Sequence, residues 1–449
     1  MGLARLLPAL AASLARFSTR FVPDAFSIAC ILALTVFAAG VVVAGATPAQ
    51  CVAAWGRGFW ELLAFSMQIA VVIFAGYVVA VSPPVARLLD ACAGLPRTPR
   101  QAVAFTAFLS MLLCWLNWGV GLIAAAVLVR AMGRRHPGAD YRLLVAVAYL
   151  GLGLTWHAGP SGSVPLLLAT PGSFMVKDGL IAAPIALSET IFTPLNLGLT
   201  AAVLLGFTAF VVLLHPPAGQ TVSADAAALQ ALASFEPPAR PERPTPAEIV
   251  MHSGWLNRLV GGLGVLAFAL QQRQGLVLTL DSVNLLFLSL GIALHPSAAS
   301  LLRAGEEAAR SLHGVVLQFP LYAGIYGIMK GTALAEVLTR AFLSIATPGT
   351  YEAVVFAYSA VLNYFVPSGG GKWAIEAPYV LGAGQALGVG APAVAMAYAY
   401  GDMATNLIQP FWAIPLLSVA RLEFRDILGY EILVFALYSL VVSVVLLAL

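Results

Sequence analysis

The run Asn363-Tyr364-Phe365-Val366-Pro367-Ser368-Gly369-Gly370-Gly371-Lys372-Trp373 decides how the rest of the chain is read. Apolar sequence leads into it from Ala353 and continues from Ala374 to Leu387. A proline and three consecutive glycines do not continue a helix cheaply. Each flank holds only about 13 residues, short of the ~20 that cross a bilayer. In hydrocarbon, interrupted backbone is tolerated only where it packs in protein or lines a wet cavity. The run therefore reads as the tip of a helical hairpin dipping into a membrane, with N–H and C=O groups facing a polar ligand. The alternative is a glycine-rich loop outside the bilayer.

Composition agrees with a membrane setting. Hydrophobic residues make up 60% of the 449-residue chain and charged residues 10%, with a mean hydropathy of +0.91. That leaves room for roughly ten spans. The net charge of +3 suits basic cytoplasmic loops rather than nucleic acid. Cys30, Cys51, Cys92 and Cys114 form no CxxC and no cluster with histidine, so neither a zinc site nor a disulfide framework is offered. Met1 to Arg20 reads as an interfacial helix without a small-residue cleavage site, and its arginines place the N-terminus in the cytoplasm.

Outward from the opening run, the same parts occur twice. Spans are expected at Ala25–Val43 and Phe59–Val81, within Pro184–Leu214, and at Val277–Leu294, Gly314–Met329 and Ile427–Leu449. Ala102–Arg130 is interrupted at Asn117–Gly121, and Leu143–Leu168 at His157–Ser163. In the second half, the Asn363 hairpin and a break at Asp402–Asn406 within Ala391–Ala420 take the same places. Leu116-Asn117-Trp118 pairs with Leu362-Asn363-Tyr364, and Pro165-Leu166-Leu167 with Pro415-Leu416-Leu417. Arginines at 97, 100, 134 and 135 flank the first hairpin, whereas Lys330 and Arg340 alone precede the second.

The expected fold is an all-α polytopic membrane protein. It has two inverted repeats, each with a re-entrant helical hairpin and a broken transmembrane helix. The division is 1–214 for the first repeat with its N-terminal helix, 215–255 for a Pro-rich cytoplasmic linker, 256–276 for a linking helix, and 277–449 for the second repeat. Inverted repeats whose broken helices meet at mid-membrane describe secondary transporters.

The four breaks supply the candidate binding residues. Helix N-termini carry free N–H groups and a positive dipole end, which suit a carboxylate. Ser368, Gly369, Gly370 and Gly371 are read this way, with Gly119, Ser161, Gly162 and Ser163 as their counterparts. Asn117 and Asn363 either cap the hairpins or touch the ligand. Asp402, with Thr405 and Asn406, is an acid in an apolar segment, expensive there and functional by default. It either carries a proton, pairs with a cation, or bridges to Lys372. Lys372 attracts an anion or snorkels to the surface. His157 is a proton relay or a packing residue. No metal ligand set and no cofactor are expected, only a coupling Na⁺ or H⁺. The absence of a Walker A motif leaves ATP drive unsupported.

These residues carry a resemblance. Gly58-Phe59-Trp60, Asn117-Trp118-Gly119, Ser161-Gly162-Ser163, Val366-Pro367-Ser368-Gly369-Gly370-Gly371 and Gln409-Pro410-Phe411-Trp412-Ala413 resemble the short-chain fatty acid transporter family of bacteria, over essentially the whole chain. The resemblance implies uptake of short-chain monocarboxylates such as butyrate or acetoacetate across the inner membrane by symport. The chain departs from the family pattern at His157–Pro160 and at Lys372. A sodium-coupled dicarboxylate carrier is a second reading, since Lys372 offers part of a second donor cluster. An intramembrane hydrolase built on His157 and Ser161 is a third. The expected partners are a small carboxylate, lipid and a second copy of the chain.

Overall fold

The structure, a computed structural model, describes residues 25–217, 219–224, 235–274, 278–310 and 312–449. The expected interfacial helix over Met1–Arg20 lies outside them. Every regular element among the described residues is helical. The first half runs α1 (Ala25–Val42), α2 (Pro48–Gly58), α3 (Leu63–Val81), α4 (Pro83–Cys92), α5 (Pro99–Leu116), α6 (Trp118–Arg135), α7 (Tyr141–Leu154), α8 (Ser163–Ala169), α9 (Phe174–Lys177) and α10 (Pro194–Leu213). A connection follows with α11 (Pro246–Met251) and α12 (Trp255–Gln271). The second half runs α13 (Leu280–Leu294), α14 (Ala298–Ala309), α15 (His313–Gly331), α16 (Leu334–Ile345), α17 (Tyr351–Phe365), α18 (Gly369–Ala386), α19 (Ala391–Asn406), α20 (Ile414–Ala420) and α21 (Phe424–Leu447).

Helix starts follow from local chemistry. Thr47-Pro48, Thr98-Pro99, Thr193-Pro194 and Thr245-Pro246 open α2, α5, α10 and α11. Each threonine side chain accepts an N–H from the first turn, while proline supplies a fixed φ where no donor is needed. Among the described residues, five helical stretches are long and apolar enough to cross a membrane, up to seven if each of two bent pairs counts as one span. One bent pair is α7 with the segment from Trp156, turned by 40°. Leu34, Val42, Leu205, Leu213, Leu263 and Val444 are each more than half exposed, as side chains facing lipid would be. The stretch Pro246–Gln271 is only 11% buried, so α12 stands at the periphery, packed against α13.

The order of parts is the same twice. An apolar helix, a short helix, a longer helix with a lone glutamine, another short helix, a hairpin, a broken helix and a last span occur in α1–α10 and again in α13–α21. The hairpin's first arm packs on the broken helix in both, α5 on α7 and α17 on α19.

Two expectations move. The second break does not fall at Asp402–Asn406: α19 continues through Asn406, and the interruption comes at Leu407–Pro410. A single Gly401 costs a helix about 1 kcal/mol, whereas Pro410 removes a donor and disfavours helix just before it. Asn363 is inside α17, with the hairpin tip at Val366–Ser368, while Asn117 alone forms the first tip. The matching Leu-Asn-aromatic triplets therefore do not mark equivalent positions, since Pro367 sets the second turn. The span expected within Pro184–Leu214 is α10, which follows turns and a 3₁₀ helix at Leu187–Glu189. The short helix α2, opened by its Thr-Pro pair, falls where no element was expected.

Glycine lets α3 and α6 meet backbone to backbone. A Cβ on Gly76 would lie 2.4 Å from the Gly119 carbonyl carbon. Overpacking of this kind costs typically ~1–3 kcal/mol. Gly76→Ala is expected to lower thermal stability in detergent by that amount; an unchanged melting curve would show that the two helices are free to part.

Candidate functional site

The site forms where the hairpin tips meet the broken helices. Asn117 accepts the Val120 N–H through its side chain at 3.0 Å, capping α6. Ser161, in the break after α7, accepts the Trp118 N–H at 2.9 Å, so one break satisfies the tip of the other. Ser368 caps α18 by accepting the Gly371 N–H at 3.2 Å. The N–H groups of Gly369 and Gly370 then open the helix without intrahelical acceptors. The space around these glycines is tight: a Cβ on Gly369 would stand 3.1 Å from Asp402 Oδ2, and one on Gly370 only 2.1 Å from the Phe65 ring.

Asp402 is almost fully buried on α19. Its Oδ2 lies 2.9 Å from His157 Nδ1, and its Oδ1 lies 3.3 Å from Lys372 Nζ. His157 Nε2 accepts the Val164 N–H at 3.1 Å. That assigns the ring proton to Nδ1, so His157 donates to Asp402. Lys372, fully buried, donates to Ser359 O at 2.9 Å and Ser359 Oγ at 2.6 Å. Its ammonium stands 4.2 Å from the centre of the Tyr398 ring, a cation–π contact. It also lies 3.5 Å from Glu376 Oε1. Charges this deep persist only with partners.

A second knot joins the two helices of the second half. Asn363 Nδ2 donates to Asp402 O at 2.7 Å, Asn406 Oδ1 at 2.9 Å and Thr405 Oγ1 at 3.1 Å. Asn406 in turn donates to Leu152 O at 3.0 Å, linking the halves.

A cavity of about 40 Å³ lies at this junction. Ser163, Asn363, Ser368, Gly369, Gly370, Asp402 and Asn406 supply its polar lining. Its apolar wall includes Trp118, Trp156, Trp412 and Phe319, with Trp118 edge-on to both Trp156 and Trp412. The cavity shares Trp118, Phe319, Ser368 and Trp412 with a vestibule of about 940 Å³. Arg130, Arg303, Arg310 and His313 lie along the vestibule's outer part. At the opposite end of α15, Tyr326 and Lys330 donate to Asp178, both at 2.5 Å, and Lys330 approaches Glu61 at 3.6 Å. The 19 residues of α15 separate these ends by roughly 28 Å.

The anticipated residues thus divide. Seven line the cavity, as named above, and Gly119 lines the vestibule. Asn117 and Ser161 hold the first tip, and Gly162 closes the turn under His157, where a Cβ would meet the His157 carbonyl oxygen at 2.4 Å. Gly371 lies in the first turn of α18, Thr405 holds Asn363, and Lys372 sits behind the cavity wall. Ser359, Tyr398 and Glu376 complete the charged group; Glu376, four residues after Lys372, was the one legible from spacing.

Interrupted helices around a polar pocket, in a chain of lipid-length apolar helices, define a multi-pass membrane transporter. The chain belongs to the short-chain fatty acid transporter family, whose model matches residues 6–449. It is 39% identical over 416 residues to a protein of Escherichia coli (strain K12), covering 92% of this chain and 93% of that one. It is 36% identical over 419 residues to one of Haemophilus influenzae, covering 92% and 93%. Both are provisionally named short-chain fatty acid transporters. Among solved structures, the fold is similar to the YdaH transporter of Alcanivorax borkumensis, with a TM-score of 0.60, 16% identity and coverage of 94% and 98%. It is also similar to MtrF of Neisseria gonorrhoeae, with a TM-score of 0.59, 15% identity and coverage of 98% and 96%. The family is one of transporters rather than enzymes. His157 has both ring nitrogens engaged, and neither on Ser161.

Lys372→Met is expected to cost about 3–5 kcal/mol by stranding Asp402. Adding Asp402→Asn to that variant should return most of the loss. Thermal unfolding in detergent measures both, and equal melting of the single and double variants would show that the pair does not hold the site.

Proposed function

We propose that this protein takes up short-chain monocarboxylates of the butyrate and acetoacetate kind across the bacterial inner membrane, by symport with a cation or proton. One observation carries the reading: Gly369 and Gly370, at the N-terminus of α18, line a cavity walled by tryptophan. Helix N-termini bind carboxylates. At 10–15 Å³ for each water-sized body, about 40 Å³ accepts a carboxylate head and little more. An aliphatic tail would extend past Trp118 and Trp412 into the vestibule. A dicarboxylate needs a second donor cluster, and Lys372 is already committed to Ser359 and Asp402.

The same reading takes the two halves, 1–214 and 277–449, as inverted repeats joined by the 215–255 linker and a crossing at 256–276. The hairpins α5–α6 and α17–α18 are re-entrant. Arg134 and Arg135 at the end of α6 support a cytoplasmic position for that end, and so for the vestibule, with the N-terminus on the same side. A homodimer is the assembly expected from the same reading.

Labelled butyrate and succinate uptake into proteoliposomes, under a proton or a sodium gradient in turn, tests it. Butyrate is expected to accumulate. Ser368→Ala removes a cap worth about 1 kcal/mol and should reduce uptake several-fold to about tenfold. Asp402→Asn should abolish accumulation. Normal accumulation in both variants would remove the site assignment, and transport of succinate alone would remove the substrate.

A further inference from the structure

We infer that Glu376 is a proton-binding site, and that the ion carried with the substrate is a proton passed between Glu376 and Asp402 through Lys372. The inference rests on the symport reading above and names its coupling ion.

The geometry leaves one ammonium for two carboxylates. Lys372 spends two of its three hydrogens on Ser359. The nitrogen lies 3.3 Å from Asp402 Oδ1 and 3.5 Å from Glu376 Oε1, and hydrogen-bonds to neither oxygen. Asp402 has a second donor in His157. Neither oxygen of Glu376 accepts a hydrogen bond, and the side chain is fully buried. Two carboxylates this close to one cation are not both ionised in an apolar interior. The better-served one, Asp402, holds the charge, and Glu376 holds the proton.

The groups facing Glu376 have been followed from each helix packed on it. Its own α18 brings Lys372 and Tyr379; α17 brings Tyr351 and Tyr358; α19 brings Tyr398 and Asp402. No charged group of α8, α15 or α16 acts on it. Lys372 is thus the only cation in its surroundings among the described residues.

Proton transfer balances without any further reactant. A substrate carboxylate docked at Gly369 stands beside Asp402 and makes that charge unfavourable. Lys372 gives its third proton to Asp402 Oδ1, and the Glu376 proton moves to the vacated nitrogen position. Asp402 is then neutral, Lys372 remains an ammonium, and Glu376 is the new carboxylate. One proton from solution refills Glu376, so one proton accompanies each substrate anion.

Sodium is the competing ion, and the oxygens suited to it are occupied. Asp402 O, Thr405 Oγ1 and Asn406 Oδ1 surround Asn363 Nδ2 at 2.7–3.1 Å. An amide nitrogen sits where a cation would need to be. Among the described residues, no group of three or more His, Cys, Asp or Glu is placed to hold a metal ion.

The experiment uses the full chain. Infrared spectra at neutral pH should show protonated-carboxyl stretches, one of which disappears in Glu376→Gln. Glu431, the other fully buried carboxylate with no hydrogen bond, supplies the control, and its Gln variant should remove a different band. In proteoliposomes, Glu376→Gln should still bind butyrate, read by tryptophan fluorescence, because Glu376 does not line the cavity, but more weakly than the parent, because its proton no longer offsets the charge of Asp402. Its accumulation under a proton gradient should fall by at least about tenfold. Glu376→Asp keeps a titratable group and should restore part of that accumulation. An infrared spectrum unchanged by Glu376→Gln overturns the inference, as does parental accumulation in that variant or uptake driven by sodium alone. If the parent neither binds nor moves butyrate while the band still vanishes, the proton site stands and the substrate reading falls.

Discussion

Backbone that stops being helical inside a bilayer must find partners for its N–H and C=O groups, because lipid offers none. Most of the centre of this protein answers that demand. The tip of the first hairpin is closed by its own Asn117 and by Ser161 from the broken helix. Trp115 donates to Ala158 O, and Trp412 to Pro367 O, so indole N–H groups bind two further loose carbonyls. Gly369 and Gly370, at the start of α18, line the cavity.

Charge follows the same logic with larger stakes. A lysine, an aspartate and a glutamate lie fully or almost fully buried within one turn of contact, beside a histidine whose hydrogen bonds fix it as neutral. Ser359 and the Tyr398 ring hold the ammonium in place, so its position is set by the scaffold rather than by either acid. The carboxylates therefore compete for a fixed cation. Such a group is sensitive to one more negative charge arriving nearby, and the cavity lies against it.

Much of this was legible from the chain. The glycine triplet after Pro367 announced a helix start in the wrong place for a loop, and Asp402 announced itself by its cost. The repeated order of parts came from counting interruptions in apolar sequence. What misled was identity between short motifs: Leu-Asn-aromatic occurs in both halves, yet Asn117 makes a tip and Asn363 makes a cross-helix knot. Pro367, four residues after Asn363 and without a counterpart in the turn after Asn117, outweighed the likeness. The break near Asp402 was also displaced, because a lone glycine was given the weight that belonged to Gln409-Pro410. Glu376 was visible at one helical turn from Lys372, but nothing in the sequence says that a third group, Ser359, takes most of the lysine's donors. That relation exists only once α17 and α18 are folded against each other.

The cluster at the far end of α15 has a bearing on how the molecule works as a whole. The cavity communicates with a wide mouth on one face, while Asp178, Tyr326, Lys330 and Glu61 tie the first half to the second on the other. A solute arriving from the tied face meets a clasp rather than a passage. Lys330 is partly exposed and within reach of dissolved ions, unlike the lysine in the interior. Unfastening on that face is thus open to ionic strength, which screens exposed charges and reaches the buried ones at the centre far less.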